Sequence, residues 1–349
     1  MKTWPKAART TAGLAIAVAG GALFAWMHTP LPWMLGSMLA MAGVQMLGAD
    51  LEPVPGSRNA GMVVIGVTLG LYFTAPVVHE VASYWPWFLA LGVAAHALGT
   101  TSALVLQRLS GVDRATAYFG SMPGGASEMT QMAEQFGAQP DKVAFAHSMR
   151  VVLVVTLFPV GITLAGFSSS QAYQPVTVPF DAARLALLLA MGVVAGFAAR
   201  TVKAPTAFML GPLLLTIALT ANGLQFSSMA TPLVNVAQVL LGAVMGTRFE
   251  RGFLASAPRF VAALVPSIAV TLLLAVVAGV LLSWCTGTYM GNGLLAAAPG
   301  GIAEMSITAR VLRMGVAFVT AAHVMRYIVV VLLTVPVYRW LLKPPAEKL

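Results

Sequence analysis

The sequence contains few charges and a single cysteine, and both shortages restrict the class of protein. Only 9% of its 349 residues are charged, against roughly 25% in a soluble domain. A lone Cys285 excludes a disulfide scaffold and a cysteine-based metal site. The five histidines are dispersed along the chain. The sequence therefore predicts neither a metal site nor a bound cofactor.

Apolar residues dominate instead, at 58% of the chain, with a mean hydropathy of +0.85. Apolar runs long enough to cross a bilayer recur without a soluble-domain-sized interruption, which predicts an all-α integral membrane protein surrounded by lipid. The net charge is +9, but the basic residues lie in short turns between apolar segments. That is the positive-inside pattern of membrane helices, so we expect no nucleic-acid partner.

A polar motif is written twice, 176 residues apart, within this apolar sequence. The first copy reads PGGASEM from Pro123 to Met129 and HSMR from His147 to Arg150. The second reads PGGIAEM from Pro299 to Met305 and HVMR from His323 to Arg326. The 28-residue copies align without a gap, and 11 positions are identical. Duplicated polar residues in a membrane protein indicate a shared pathway or site.

The apolar segments extend this duplication to the whole chain. We predict repeat 1 at residues 1–167, a polar connector at 168–181, and repeat 2 at 182–349. The segments of the first repeat lie near 10–28, 31–49, 59–78, 86–107, 115–135 and 142–167. Those of the second lie near 182–199, 204–221, 233–249, 259–284, 290–309 and 315–338. The first segment lacks a convincing cleavage site, so we interpret it as a retained helix rather than a signal peptide.

Loop charges predict that the two repeats have opposite orientations. The loop at 79–85 has no Lys or Arg, whereas its counterpart at 248–259 has three arginines. The loop at 108–114 has two arginines, and its counterpart at 284–290 has none. By the positive-inside rule the repeats are inverted. The basic residues near both ends of the chain place both termini in the cytoplasm.

Inversion requires an odd number of crossings per repeat, although each repeat has six segments. We therefore predict about five crossing helices and one broken or re-entrant segment per repeat, with the break at Pro-Gly-Gly in the fifth segment. Arg310 and Arg313 count against the simplest version of this topology. Either they mark a wet vestibule, or segment eleven crosses the membrane while part of segment twelve re-enters.

The duplicated residues are the candidate binding site for a solute and an ion. Glu128 lies in the first turn after the break, where it either compensates the helix dipole or binds an ion or proton. Arg150 needs Glu128, a carbonyl group or an anionic substrate as its partner. His147 either carries a proton or is a hydrogen-bonded core residue. The complete set is Pro123, Gly124, Gly125, Glu128, His147, Arg150, Pro299, Gly300, Gly301, Glu304, His323 and Arg326.

The doubled PGG-x-x-EM…H-x-M-R pattern in a chain of two tandem halves resembles the membrane AbrB family of bacterial proteins. The resemblance covers the whole chain and implies location in the bacterial inner membrane. Two inherited labels accompany the family, "regulator of gene expression" and "putative ammonia monooxygenase". A direct oxygenase activity would need converging metal ligands, and a DNA-binding regulator would need an exposed basic module. The sequence offers neither, and the architecture is similar to inverted-repeat transporters.

The sequence thus predicts a secondary transporter of a small, possibly anionic solute, coupled to H⁺ or Na⁺, rather than an enzyme. Glu128 and Glu304 would bind the coupling ion. Arg150 and Arg326 would hold an anionic group or lock a glutamate. The alternative is a non-transporting membrane regulator or sensor that binds a ligand at the same site and affects gene expression indirectly. Assembly as a homodimer is compatible with either function.

Overall fold

A computed structural model describes residues 5–167, 178–249, 252 and 256–342. These residues form α-helices joined by turns and loops, and no strand occurs among them. The helices of the first half are α1 (Lys6–Trp26), α2 (Pro32–Met46), α3 (Ser57–Gly70), α4 (Ala75–Ser83), α5 (Trp85–Ser110), α6 (Arg114–Ser121), α7 (Ala126–Glu134) and α8 (Pro140–Leu164). Those of the second half are α9 (Ala182–Thr201), α10 (Ala207–Ala221), α11 (Thr231–Gly246), α12 (Pro258–Thr286), α13 (Met290–Ala297), α14 (Ile302–Val311) and α15 (Val316–Val337), followed by a π-helical turn (Tyr338–Leu342).

The all-helical membrane architecture agrees with the sequence. Six of the described helices, α1, α5, α8, α9, α12 and α15, are long and apolar enough to cross a bilayer. The pair α3 and α4 would make a seventh span, although the two helices are bent by 91°. The sequence predicts one apolar segment at 59–78 and gives no bend within it. Most of the predicted connector, 168–177, lies outside the described residues. The number of crossings and the inversion stay predictions.

The described chain separates into two compact units, and each draws on both halves of the sequence. Unit 1 comprises Met1–Tyr84, Val155–Ser256 and Ile302–Thr320. Unit 2 comprises Trp85–Val154, Ala257–Gly301 and Ala321–Leu349.

Unit 1 repeats its helix packing between the two halves. Helix α1 packs on α2, and α9 packs on α10 in the same way. The contact between α2 and α11 has its counterpart in the contact between α10 and α3. In each of these two contacts between the halves, a glycine lies against a backbone carbonyl. A Cβ at Gly66 would be 2.6 Å from the Met209 oxygen, and one at Gly242 would be 2.5 Å from the Met34 oxygen. Small residues allow such close helix approach.

Gly36 of α2 offers a direct test of this packing. A Cβ at Gly36 would collide with the carbonyl group of Gly20 on α1. We expect Gly36→Val to force the two helices apart and to destabilise the protein by about 2 kcal/mol or more, as overpacked cores do. Gly43→Ala on the same helix is the matched control, because its Cβ would meet nothing within 4 Å. Thermal unfolding of the detergent-purified variants measures the difference, and equal unfolding temperatures would contradict the packing.

Unit 2 is built on the long helices α5 and α12, which pack against each other. Ser102 of α5 donates to the carbonyl of Ser267 on α12, and Ser267 donates to the carbonyl of Ser102, both at 2.9 Å. The short helix α6 packs on α5, and the short helix α13 packs on α12. Each long helix therefore supports one half-helix that ends at a Pro-Gly-Gly break.

Candidate functional site

Both Pro-Gly-Gly sequences lie in unit 2, and each follows the end of a short helix of that unit. Helix α6 ends at Ser121, and its C-cap Met122 is already extended, with φ −62° and ψ 135°. Helix α13 ends at Ala297, and Ala298 has φ −54° and ψ 132°. Such a break leaves the last carbonyl groups of each half-helix without a helical N–H partner. In an apolar setting these carbonyls require other donors.

The duplicated histidines replace the donor that proline lacks. In an uninterrupted helix, the Phe119 carbonyl would accept the N–H of residue 123, but Pro123 has no N–H. The Nε2 atom of His147 lies 2.9 Å from the Phe119 carbonyl oxygen. In the second copy, the Nε2 atom of His323 lies 2.8 Å from the carbonyl oxygen of Leu295, four residues before Pro299. The spacing from proline to histidine is therefore explained by the structure, because in each copy the histidine reaches the carbonyl group that the proline leaves without a donor.

The duplicated arginines bind the carbonyl groups around each break. Nη1 of Arg150 donates to the carbonyls of Ser121 at 3.1 Å and Met122 at 2.9 Å. A further contact of 3.5 Å joins Nη2 to the Gly124 carbonyl.

In the second copy, Arg326 donates to the carbonyls of Ala298 and Gly300 at 2.5 and 2.6 Å. These are the positions equivalent to Met122 and Gly124. Each guanidinium thus lies at the negative C-terminal end of a half-helix dipole.

Each arginine also fixes the protonation state of its histidine. Nη2 of Arg150 lies 2.9 Å from Nδ1 of His147, and Nη2 of Arg326 lies 2.8 Å from Nδ1 of His323. Arginine has only donors, so Nδ1 must accept and Nε2 must carry the proton. Both histidines are therefore neutral and both ring nitrogens are engaged. Adding a proton to either ring would break its bond to arginine.

These clusters are deeply buried, and the two guanidinium groups are electrostatic neighbours. The exposed fraction is 4% for Arg150 and for Arg326, and no more than 1% for His147 and His323. Arg150 and Arg326, both of unit 2, lie close enough for their charges to interact. The Nε atom of each arginine is buried and has no hydrogen-bond partner among the described residues.

The glutamates lie in the first turn of the helix after each break. A Cβ at Gly125 would collide with the carboxylate of Glu128, and it would be 3.1 Å from the Tyr327 hydroxyl oxygen. Gly125 has a negative φ of −71°, so the glycine is needed for space rather than for an unusual backbone angle. Glu128 therefore folds back over the N-terminus of α7, where a carboxylate is favoured.

Glu304 occupies the equivalent position at the start of α14, which belongs to unit 1. Its exposed fraction is 4%, and its carboxylate accepts a hydrogen bond from its own backbone N–H. Arg58 and Arg248, also of unit 1, act on it through their charges. The sequence predicts only an orienting role in a loop for Arg248 and gives no indication of a role for Arg58. Glu304 is thus the buried carboxylate of a group that also includes two arginines.

Asp113 holds the start of α6 from outside the membrane-spanning segments. Its carboxylate accepts hydrogen bonds from the backbone N–H of Thr116 at 2.7 Å, the Thr116 hydroxyl at 2.6 Å and the Gln139 amide at 3.2 Å. Burial alone would raise the pKa of Asp113, but these hydrogen bonds outweigh it and lower the pKa. Its contribution to stability is therefore present above the unfolded pKa and is lost as the pH falls through the folded pKa.

A substitution of His147 tests whether its side chain replaces the N–H donor that Pro123 lacks. His147→Leu would leave the buried Phe119 carbonyl and one guanidinium N–H unsatisfied, so we expect a loss of about 2–6 kcal/mol, at about 1–3 kcal/mol for each group. His147→Gln keeps a side-chain donor and should lose less. His96→Leu is the control, because the hydrogen-bond contacts of this buried histidine with other described residues are only those of 3.5 Å, to the Gly92 carbonyl and the Thr334 hydroxyl. Equal destabilisation at positions 96 and 147 would contradict the interpretation.

The sequence is similar to those of known proteins over most of its length. Residues 33–342 match a family model described as "Transition state regulatory protein AbrB". The Bacillus subtilis (strain 168) protein named "Uncharacterized protein YhjN" is 27% identical over 365 residues, covering 96% of this chain and 94% of the relative. The Escherichia coli (strain K12) protein named "Putative regulator AbrB" is 27% identical over 238 residues, covering 68% of each chain. Because the family model covers most of its length, this chain belongs to the AbrB family.

Proposed function

We propose that the chain is a secondary transporter of a small solute, driven by H⁺ or Na⁺, and not an enzyme. It would lie in the bacterial inner membrane with both termini in the cytoplasm. The observation that carries the proposal is the pair of helix breaks in unit 2, each held by its own buried arginine and histidine. Transporters with repeated halves bind their substrates where discontinuous helices expose backbone groups near the middle of the bilayer.

The energetic cost of these features supports a functional role. A buried guanidinium in a membrane segment is expensive, and a helix break exposes backbone groups that lipid does not satisfy. A bundle that served only as a membrane anchor would gain nothing from two such breaks. Because the cationic groups at the breaks are duplicated, anionic solutes are the first class to test.

Glu128 and Glu304 are the groups that we assign to ion coupling. A carboxylate at a helix N-terminus is able to bind Na⁺ or take up a proton. Either event neutralises the carboxylate and weakens its electrostatic attraction to nearby cations. For Glu304 those cations are Arg58 and Arg248. His147 and His323 are less suited to this role, since both ring nitrogens of each already form hydrogen bonds.

The second candidate function is a membrane sensor that binds a solute without moving it. It is favoured by the printed name of the Escherichia coli relative, "Putative regulator AbrB". Such a protein would use the same residues to bind its ligand, and any influence on gene expression would be indirect.

A solute screen separates the two candidates. Detergent-purified protein would first be screened by thermal shift, because a ligand that binds the native state raises its unfolding temperature. Each binder would then be tested for flux into proteoliposomes under imposed H⁺ and Na⁺ gradients. We expect flux of a binding solute that depends on one gradient. Specific binding without flux under any gradient would favour the sensor.

A further inference from the structure

Unit 1 contains a cavity of ≈ 250 Å³ that is separate from the duplicated motif. It lies at the C-terminal ends of α3 and α10, next to the loop at 225–229 and to Arg310 at the end of α14. Its apolar lining comes from Leu71, Val178 and Met229. The volume lies below the usual range for drug-sized ligands, roughly 300–1,000 Å³, so only a small molecule fits.

Arg310 gives the cavity its charge. It is the only charged residue among the described residues that line the cavity. It is half-buried, and no carboxylate among the described residues forms an ion pair with it. Arg310 is also one of the two arginines that do not fit the simplest membrane topology. A half-buried cation that has no counter-charge within the described part of the chain favours an anionic ligand.

Neutral hydrogen-bonding groups surround the same cavity. Tyr72, Gln225 and Ser228 are half-buried and line it. Thr220 also lines it, is 3% exposed, and has a buried hydroxyl with no hydrogen-bond partner among the described residues. Unpaired buried hydroxyl groups are uncommon in folded proteins. The cavity therefore offers several neutral donors and acceptors beside one cation.

The helix ends at the cavity do not need Arg310 to satisfy their carbonyl groups. At the end of α3, the N–H of Phe73 donates to the Gly70 carbonyl at 3.1 Å. At the end of α10, the N–H of Leu224 donates to the Leu219 carbonyl at 2.9 Å, and that of Gly223 to the Thr220 carbonyl at 3.1 Å. Because these carbonyls are bonded locally, the guanidinium of Arg310 is left for a ligand.

We propose that this cavity binds a small monocarboxylate with a short apolar chain. One guanidinium matches the single charge of a carboxylate and binds it through two parallel hydrogen bonds. A phosphate group carries more charge than one arginine balances. The apolar lining accommodates a short hydrocarbon chain, and the neutral groups hold the carboxylate oxygens that Arg310 does not reach. The site serves a transporter and a sensor equally, so it does not depend on the function proposed above.

The test is a titration of the full-length, detergent-purified protein with butyrate, butyramide and inorganic phosphate by isothermal calorimetry. We expect saturable binding of butyrate, no binding of butyramide, and no displacement of butyrate by phosphate. Arg310→Gln should weaken butyrate binding by about tenfold or more, the range expected when a hydrogen bond to a charged group is lost. Arg313→Gln is the matched control, because this exposed arginine three residues away does not line the cavity.

A second variant keeps the test decisive if Arg310→Gln does not fold. Ser228→Phe places a ring in the cavity while Arg310 stays in place, and it should abolish butyrate binding. The proposal is overturned if the folded wild type shows no saturable butyrate binding, or if butyramide binds as tightly as butyrate. It is also overturned if Arg313→Gln weakens binding as much as Arg310→Gln, or if phosphate displaces butyrate.

Discussion

Replacing Arg326 by leucine is expected to prevent the protein from folding. The substitution removes the donor to the Ala298 and Gly300 carbonyls and to Nδ1 of His323. Each buried group left without a partner costs about 1–3 kcal/mol, and three such losses approach the whole stability of a typical protein, about 5–15 kcal/mol. We expect aggregated or degraded protein instead of a monodisperse peak in size-exclusion chromatography.

Two further variants show whether the loss of stability in Arg326→Leu comes from the missing hydrogen bonds. Arg326→Lys keeps the charge but lacks the fork that reaches several carbonyls, so its stability should be intermediate. Arg108→Leu removes an exposed arginine of unit 2 and should leave folding unchanged. A well-folded Arg326→Leu protein that fails only to bind ligand would mean that this arginine is a ligand group and not a structural one.

Glu304→Gln and Glu128→Gln are expected to leave the fold intact and to abolish ion-coupled function. Glutamine has nearly the size of glutamate, and its carbonyl oxygen still accepts a backbone N–H at the helix start. It carries no charge, however, and does not take up a proton or attract Na⁺. We expect elution volumes and unfolding temperatures close to the wild type, together with loss of gradient-driven solute flux.

The matched control for the glutamates is Glu134→Gln. Glu134 lies at the other end of α7 from Glu128 and is exposed, so its replacement should preserve flux. If Glu304→Gln does not fold, then the carboxylate mainly neutralises Arg58 and Arg248. That result would remove Glu304 from the transport mechanism.

The breaks in the fifth segments were predictable because each proline is followed directly by two glycines, which are poor helix formers. Proline alone is not sufficient, since Pro159 lies inside α8 and Pro266 lies inside α12. The partners of His147 and Arg150 were not predictable in the same way. The sequence left a glutamate, a carbonyl and a substrate open as partners of Arg150. Arg150 binds carbonyl groups because α8, which carries this arginine, lies against the end of α6, and the sequence alone does not show that packing. A signal was nevertheless present, since the histidine replaces the N–H that the proline lacks, and both occur in each copy.

The bend between α3 and α4 was missed for a different reason. Apolar residues continue through Leu71 and Phe73, so hydropathy gave no sign of an interruption at 71–74. Pro76 near the start of α4 was the available signal, because proline favours the first turn of a helix. The charges around Glu304 were also missed. Arg58 and Arg248 are distant from it in sequence. Their proximity depends on the packing of α14 on α3, which carries Arg58, and of α3 on α11, which precedes Arg248.

The most direct test of the proposed function is uptake of a verified binding solute into proteoliposomes under an imposed H⁺ or Na⁺ gradient. We expect wild-type protein to accumulate the solute above its external concentration under one of the two gradients, and Glu304→Gln protein of equal stability not to do so. Binding of the solute without accumulation by wild-type protein under either gradient would contradict it.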